Sequence, residues 1–209
     1  MARRTKQEAQ QTRSHILDTA ELVFERRGVS GTSLHEIAKA AGVTRGAIYW
    51  HFEDKADLFN AMMERATLPL EEGGGVCGFD KNELSLAQMR DGVVAVLRRI
   101  VADPQMKRVF GIATHKVEYT GEMDAVRERH LNIRNGCLAD VERTLKQAMQ
   151  RGELARRMPA RAAAVGLHAL LDGLLQNWML DPTGFNLVKV GTQVLDAYLA
   201  GLAVEQAAA

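Results

Sequence analysis

No stretch of the sequence approaches the roughly 18 consecutive apolar residues that a membrane-crossing helix needs. The amino-terminal MARRTKQEAQQT carries positive charge with no apolar segment behind it, so a secretory signal is not expected. Cysteine is scarce: Cys77 and Cys137 sit in no CxxC or metal-ligand spacing, and the expectation is two free thiols in a reducing cytoplasm. The six histidines show neither HxxxH nor HExxH spacing, so no metal site is expected. No nucleophile–base pairing stands out either, which leaves an enzyme without a catalytic residue and without a cofactor. Charge of one sign is lacking too, because the net charge is +1, and bulk electrostatics does not announce a nucleic-acid partner.

What is present is more telling. The chain of 209 residues is 46% hydrophobic and 25% charged, ordinary values for a globular protein with a sizeable core. Up to Arg13 it carries Arg3, Arg4, Lys6 and Arg13 against a lone Glu8. Such a basic arm can reach phosphates or a minor groove, or it can be a solvated terminus.

Nearly every segment reads as helix. Ile16, Leu17, Ala20, Val23 and Phe24 form one apolar stripe, and Gly28 ends it. Ser33-Leu-His-Glu36 is a capping box that opens a short helix through Ile37, Ala38 and Ala41, closed by Gly42. Thr44 caps a third helix carrying Ala47, Ile48 and Trp50, and Asp54 caps a fourth through Leu58, Phe59 and Met62. Pro69 and the glycines from Gly73 to Gly78 predict a loop after Leu68. Longer amphipathic helices follow, roughly at 83–102, 105–118, 121–151, 159–180 and 185–203, with stops at Asp103-Pro104 and Asp181-Pro182. Without repeats or strand-like alternation, the fold class is all-α: an N-terminal three-helix unit over 1–55 and a larger helical domain over 56–209.

The short helices 33–41 and 44–51 are each below the length at which an isolated helix is stable, about 12 residues. They must therefore pack on their neighbours through Ile37, Ala38, Val43 and Ile48, with a tight turn at Gly42-Val43, as a helix-turn-helix requires. The second of them then exposes Thr44, Arg45, Gly46, Tyr49, Trp50 and His51, a set that a purely structural surface helix would not select. Arg45 in the first turn can pair with guanine O6 and N7. Gly46 permits close backbone approach. Tyr49 and His51 can donate to phosphates, and Ser33 and Lys55 bound the segment at either end, Lys55 as a further charged contact.

The stretch from Thr32 to Lys55, TSLHEIAKAAGVTRGAIYWHFEDK, resembles the DNA-binding signature of TetR-family repressors. The opening MARRTKQEA, with Thr12-Arg13 and Ile16-Leu17, resembles the AcrR-like branch that governs multidrug efflux pumps. Looser similarity extends to His115-Lys116-Val-Glu118 and Asp172-Gly173-Leu. The resemblance implies a homodimer whose recognition helices, about 44–51, enter successive major grooves of an inverted-repeat operator. It also implies a C-terminal domain that dimerises through its last two long helices and binds a small amphipathic or aromatic ligand. The implied lining is Met89, Leu97, Phe110, Thr114, Arg134, Cys137, His168, Asp172 and Gln176. Asp172 and Gln176 also fall one turn apart on an otherwise apolar helix, where a carboxylate must be solvated, paired (Arg134, or across a dimer) or lining a cavity. Cys137 reads as a small core residue or, alternatively, as a redox sensor, although nothing near it in sequence supplies an activating base. The expected function is a ligand-released repressor of an efflux-pump operon. The alternative on the same fold is a DNA-organising or cell-division protein with no inducer.

Overall fold

The computed structural model describes residues 6–71 and 85–204. Their order is α1 (Lys6–Arg27), α2 (Leu34–Ala40), α3 (Arg45–His51), α4 (Lys55–Glu71), α5 (Leu86–Ala102), α6 (Pro104–His115), a 3-10 turn η1 (Gly121–Met123), α7 (Asp124–Gln150), α8 (Ala160–Leu180) and α9 (Leu187–Leu202). The all-α expectation holds among the described residues, whose single extended pairing is an isolated bridge between Leu154 and Ala203.

Local chemistry sets most of the boundaries. Gly28 stops α1 at φ +75, a conformation that a side chain would strain, and its N–H donates to Phe24 O at 2.8 Å. Asp54 Oδ1 accepts from Asp57 N at 2.7 Å and so starts α4. Asp103 Oδ1 accepts from Gln105 N and Met106 N, while Pro104 takes the first position of α6, where a missing N–H is harmless. Two expectations need correcting. The loop predicted after Leu68 begins later, because α4 continues through Pro69 to Glu71. Proline removes one donor, and in a final turn that loss is smaller than in a helix interior. The remainder of that predicted loop, 72–84, lies outside the described residues. The helix expected at 105–118 ends at His115, where Lys116 turns its carbonyl to accept from Val29 N at 2.9 Å.

The chain divides into two compact units, Met1–Ala66 with Arg108–His130, and Thr67–Lys107 with Leu131–Ala209. In the first, one apolar core gathers Ile16, Leu17, Ala20 and Phe24 of α1, Ile37 and Ala38 of α2, Ile48 of α3, and Leu58, Phe59 and Met62 of α4. Val109, Ile112, Met123 and Val126 join that same core. A buried ion network reinforces it: Glu21, only 3% exposed, meets Arg65 at 2.5 Å and Arg108 at 3.7 Å.

In the second unit, the core forms around Met89, Leu145, Leu167, Leu195 and Leu202. Helices α5 and α9 approach closely at Gly191, where a Cβ would stand 2.5 Å from Leu97 Cδ1. Arg90 of α5 clamps Asp196 of α9 through Nε and Nη2 at 2.5 and 2.9 Å. Lys107 Nζ lies 4.9 Å over the Trp178 ring. The apolar stripe of α8 and α9 serves two purposes. Leu167, Trp178 and Leu202 are buried within the unit, and Leu171 and Tyr198 pack against its core. Leu170, Leu174, Leu175, Val190 and Val194 remain half-buried in the single chain.

Candidate nucleic-acid interface

The turn between α2 and α3 is built by hydrogen bonds that only a short, tight connection allows. Val43 N donates to Ala38 O at 3.0 Å and Gly42 N to Lys39 O at 3.2 Å, with Gly42 at φ +65. Ser33 and Glu36 complete the capping box, Glu36 N donating to Ser33 Oγ at 3.3 Å and Ser33 N to Glu36 Oε2 at 2.9 Å. The bonds from Ser33 hold the Glu36 carboxyl below its ordinary range, helped by Arg27 at 2.8 Å. At the next helix Thr44 Oγ1 accepts from Ala47 N at 3.1 Å. His15 Nε2 lies 3.0 Å from Ala41 O and ties α1 to the end of α2.

With seven residues, α3 owes its stability to one deep anchor, Ile48, which is 0% exposed, and to its C-cap Phe52, which is 1% exposed. Ala47 and His51 are half-buried, so His51 is less open than expected, and the remaining residues turn outward. Thr44, Arg45 and Gly46 are exposed, Tyr49 is 48% exposed and Trp50 is 72% exposed. An exposed tryptophan of that extent on a structural helix wastes apolar burial, so a binding role is the economical explanation. The side chains are also ordered with respect to one another. Arg45 Cζ sits 5.6 Å over the Tyr49 ring, and the Trp50 and His51 rings meet edge-on at 4.5 Å. No Cβ at Gly46 would meet a neighbour within 4 Å, so its side faces open space that a groove edge can fill.

Six of the eight expected contact residues, Thr44, Arg45, Gly46, Tyr49, Trp50 and His51, fall together on α3 and its cap. Ser33 is exposed but committed to its capping box. Lys55 does not share the face: its side chain is 11% exposed, and Nζ donates to Thr32 O at 3.1 Å and meets Glu122 at 2.7 Å. A cleft of about 520 Å³ beside them is lined by Glu36, Tyr49, Glu53, Asp54, Lys55 and Glu122, among others. It is polar and acidic, unlike the apolar ligand cavity expected.

The residues expected to line a ligand cavity divide between the units. Phe110 and Thr114 belong to the first and are half-buried; the other seven belong to the second. Met89 and Leu97 are buried core, while Arg134, Cys137 and His168 are half-buried. Asp172 and Gln176 are exposed and joined to each other, Gln176 Nε2 donating to Asp172 Oδ2 at 2.7 Å. Arg134, the partner considered for Asp172, instead donates to Asn135 at 3.1 Å. The expectation of free thiols is overturned at Cys137, which is disulfide-bonded. Sequence spacing carries no information on which sulfurs a fold brings within bonding distance. Cys77 lies outside the described residues. Arg13, of the basic amino-terminal arm, has its guanidinium 5.0 Å over the ring of Phe52.

Comparison with known proteins places the chain in a family. Residues 16–62 match the family described as bacterial regulatory proteins, tetR family, and residues 85–204 match the MAATS-type transcriptional repressor C-terminal region. The HTH-type transcriptional regulator AcrR of Shigella flexneri is 42% identical, covering 90% of this chain and 88% of its own length. The structure of NalD, the secondary repressor of the MexAB-OprM multidrug efflux pump in Pseudomonas aeruginosa, superposes with a TM-score of 0.84 at 33% identity. That match covers 96% of this chain and 100% of NalD. A complex of SmeT with triclosan superposes with a TM-score of 0.78 at 29% identity over 93% of this chain and 92% of SmeT. SmeT is the repressor of the Stenotrophomonas maltophilia multidrug efflux pump SmeDEF.

Proposed function

The chain belongs to the TetR family of bacterial regulatory proteins, and from that premise we propose that it represses a multidrug efflux-pump operon and is released by an aromatic or amphipathic inducer. The observation that carries the DNA reading is the outward face of α3, where Arg45, Tyr49 and Trp50 stay exposed around one buried anchor, Ile48. The pump assignment is supported by the relatives, NalD and SmeT each being described as a repressor of such a pump. The protein acts as a homodimer on an inverted repeat, with DNA binding carried by 1–55 and ligand binding and dimerisation by 56–209. It works in the cytoplasm, where the operator is reached; among the described residues no helix is long and apolar enough to cross a membrane.

For the inducer, the triclosan complex of SmeT supports an aromatic chemistry. The proposed lining within the second unit is Met89, Leu97, Arg134, Cys137, His168, Asp172 and Gln176, in which a few apolar groups stand beside polar ones that would orient a ligand. Release follows from linkage: an inducer that weakens operator binding must itself be weakened by operator to the same degree, typically about 5–150-fold.

Selection from a randomised duplex pool, followed by titration with triclosan, dyes and plant phenolics, tests this reading. The expected result is a palindrome bound at least about 10³-fold more tightly than random duplex, weakened by one of those compounds. Deleting the gene should raise transcripts of a neighbouring pump operon. A compound that binds tightly without changing operator affinity sinks the induction mechanism, and the absence of any selected palindrome sinks the repressor.

A further inference from the structure

The geometry points to Arg13 as a phosphate clamp at the edge of the operator contact, held ready for DNA by the ring of Phe52. This rests on α3 being the recognition helix. Two arginines of the first unit lie over aromatic rings: Arg45 Cζ at 5.6 Å from the Tyr49 centroid and Arg13 Cζ at 5.0 Å from the Phe52 centroid. Arg27, Lys55, Arg65 and Arg108 of the same unit each sit on a carboxylate. Among the described residues, neither Arg13 nor Arg45 has a carboxylate within ion-pair distance or an acceptor for its N–H groups.

Phe52 is the C-cap of α3, follows His51 directly, and is itself buried. Whatever stands on its ring is therefore fixed relative to the recognition helix. A guanidinium that gives its face to a ring keeps its in-plane N–H fork for oxygen, and that fork matches phosphate. Holding the side chain in place beforehand also lowers the entropy lost on binding. Charge points the same way. The cleft next to α3 presents Glu36, Glu53, Asp54 and Glu122, which repel a phosphate backbone, and Arg13 is not part of it. Preceding it in sequence are Arg3, Arg4 and Lys6, so the basic amino-terminal stretch runs up to this point.

The test is a salt titration of the full-length protein on the palindrome selected by the wild type, with a scrambled duplex alongside. Arg13→Gln keeps the aliphatic stem against the ring and removes the charge. The dimer carries two copies of Arg13, so the substitution removes two phosphate contacts and lowers the slope of log K against log salt by about 1.8, which at roughly 0.15 M salt is about a thirtyfold loss. The loss should be equal on palindrome and scrambled duplex, leaving their ratio unchanged, and Arg13→Lys should restore the slope. A wild-type slope in Arg13→Gln overturns the assignment, as does a loss confined to the palindrome. Should the wild type select no palindrome, the repressor reading fails while the slope on scrambled DNA still decides the fate of Arg13.

Discussion

The ion network around Glu21 makes a quantitative demand on the first unit. Its carboxylate is 3% exposed and has two guanidiniums, Arg65 at 2.5 Å and Arg108 at 3.7 Å. Arg65 is further tied to Asp18 at 2.8 Å and to Ser14 O at 3.3 Å, and Arg108 to Glu25 at 3.3 Å. Removing one member of a buried pair typically costs about 3–5 kcal/mol, because the remaining charge is stranded away from water. Here each arginine partly covers for the other, so Arg65→Met should cost about 2–3 kcal/mol and Arg108→Met, with the longer contact, about 1 kcal/mol. Together they take both guanidiniums from Glu21, and the double variant should exceed the sum by about 1 kcal/mol or more. Urea unfolding followed by tryptophan fluorescence measures this, in a Trp178→Phe background so that Trp50 alone reports on the first unit. Additivity within about 0.5 kcal/mol, or Arg108→Met costing more than Arg65→Met, would show that Glu21 is not shared as described.

Three further outcomes are expected. Arg45→Ala should weaken binding to the selected palindrome by about 1–3 kcal/mol per half-site and relax the preference at one base position in each; unchanged preference in the selected sequences would displace Arg45 from the groove. Leu175→Arg, at a half-buried position on α8 outside the second unit's core, should turn the dimer into monomers in sedimentation and abolish tight palindrome binding, and a variant that still sediments as a dimer places the interface elsewhere. The Asp196 carboxyl is held below its ordinary range by its hydrogen bond from Arg90, so it binds protons less readily folded than unfolded. Its stabilising contribution is full above the ordinary carboxylate pKa, about 3.9, and is lost as pH falls through the lower folded value. Thermal melts should therefore show Asp196→Asn shrinking the acid-induced drop in Tm, and a wild-type-like acid profile in that variant would refute the link.

Where the signal was local chemistry, the sequence could be read almost directly. The capping box at Ser33–Glu36, the Thr44 cap and the Gly28 stop all stand where side-chain oxygens and a missing Cβ require them. Pro69 misled because proline's effect depends on its place in a helix: α4 carries it in its last turn and ends shortly afterwards. Lys55 misled for a different reason. It opens α4 shortly after α3, and only the fold brings up Glu122 from far along the chain to take its ammonium. The same non-locality put Phe110 and Thr114 with the first unit, since periodicity marks which face of a helix is apolar but not what that face meets. Cys137 belongs in this class as well.

A DNA-binding protein with a net charge of +1 looks paradoxical until its cations are followed to their partners. In the first unit Arg27, Lys55, Arg65 and Arg108 each face a carboxylate, which makes them part of the scaffold and subtracts them from the charge available to phosphate. Arg45 stays outside that set, lies on a ring, and belongs to the helix that carries the exposed Trp50 and that we propose as the contact surface. Affinity for a polyanion depends on how many charges displace counterions at the interface, not on the chain's total. Composition averages over both populations and therefore hides the binder. For these five cations the partner met on the folded chain makes the distinction, through contacts that no local reading of the sequence contains.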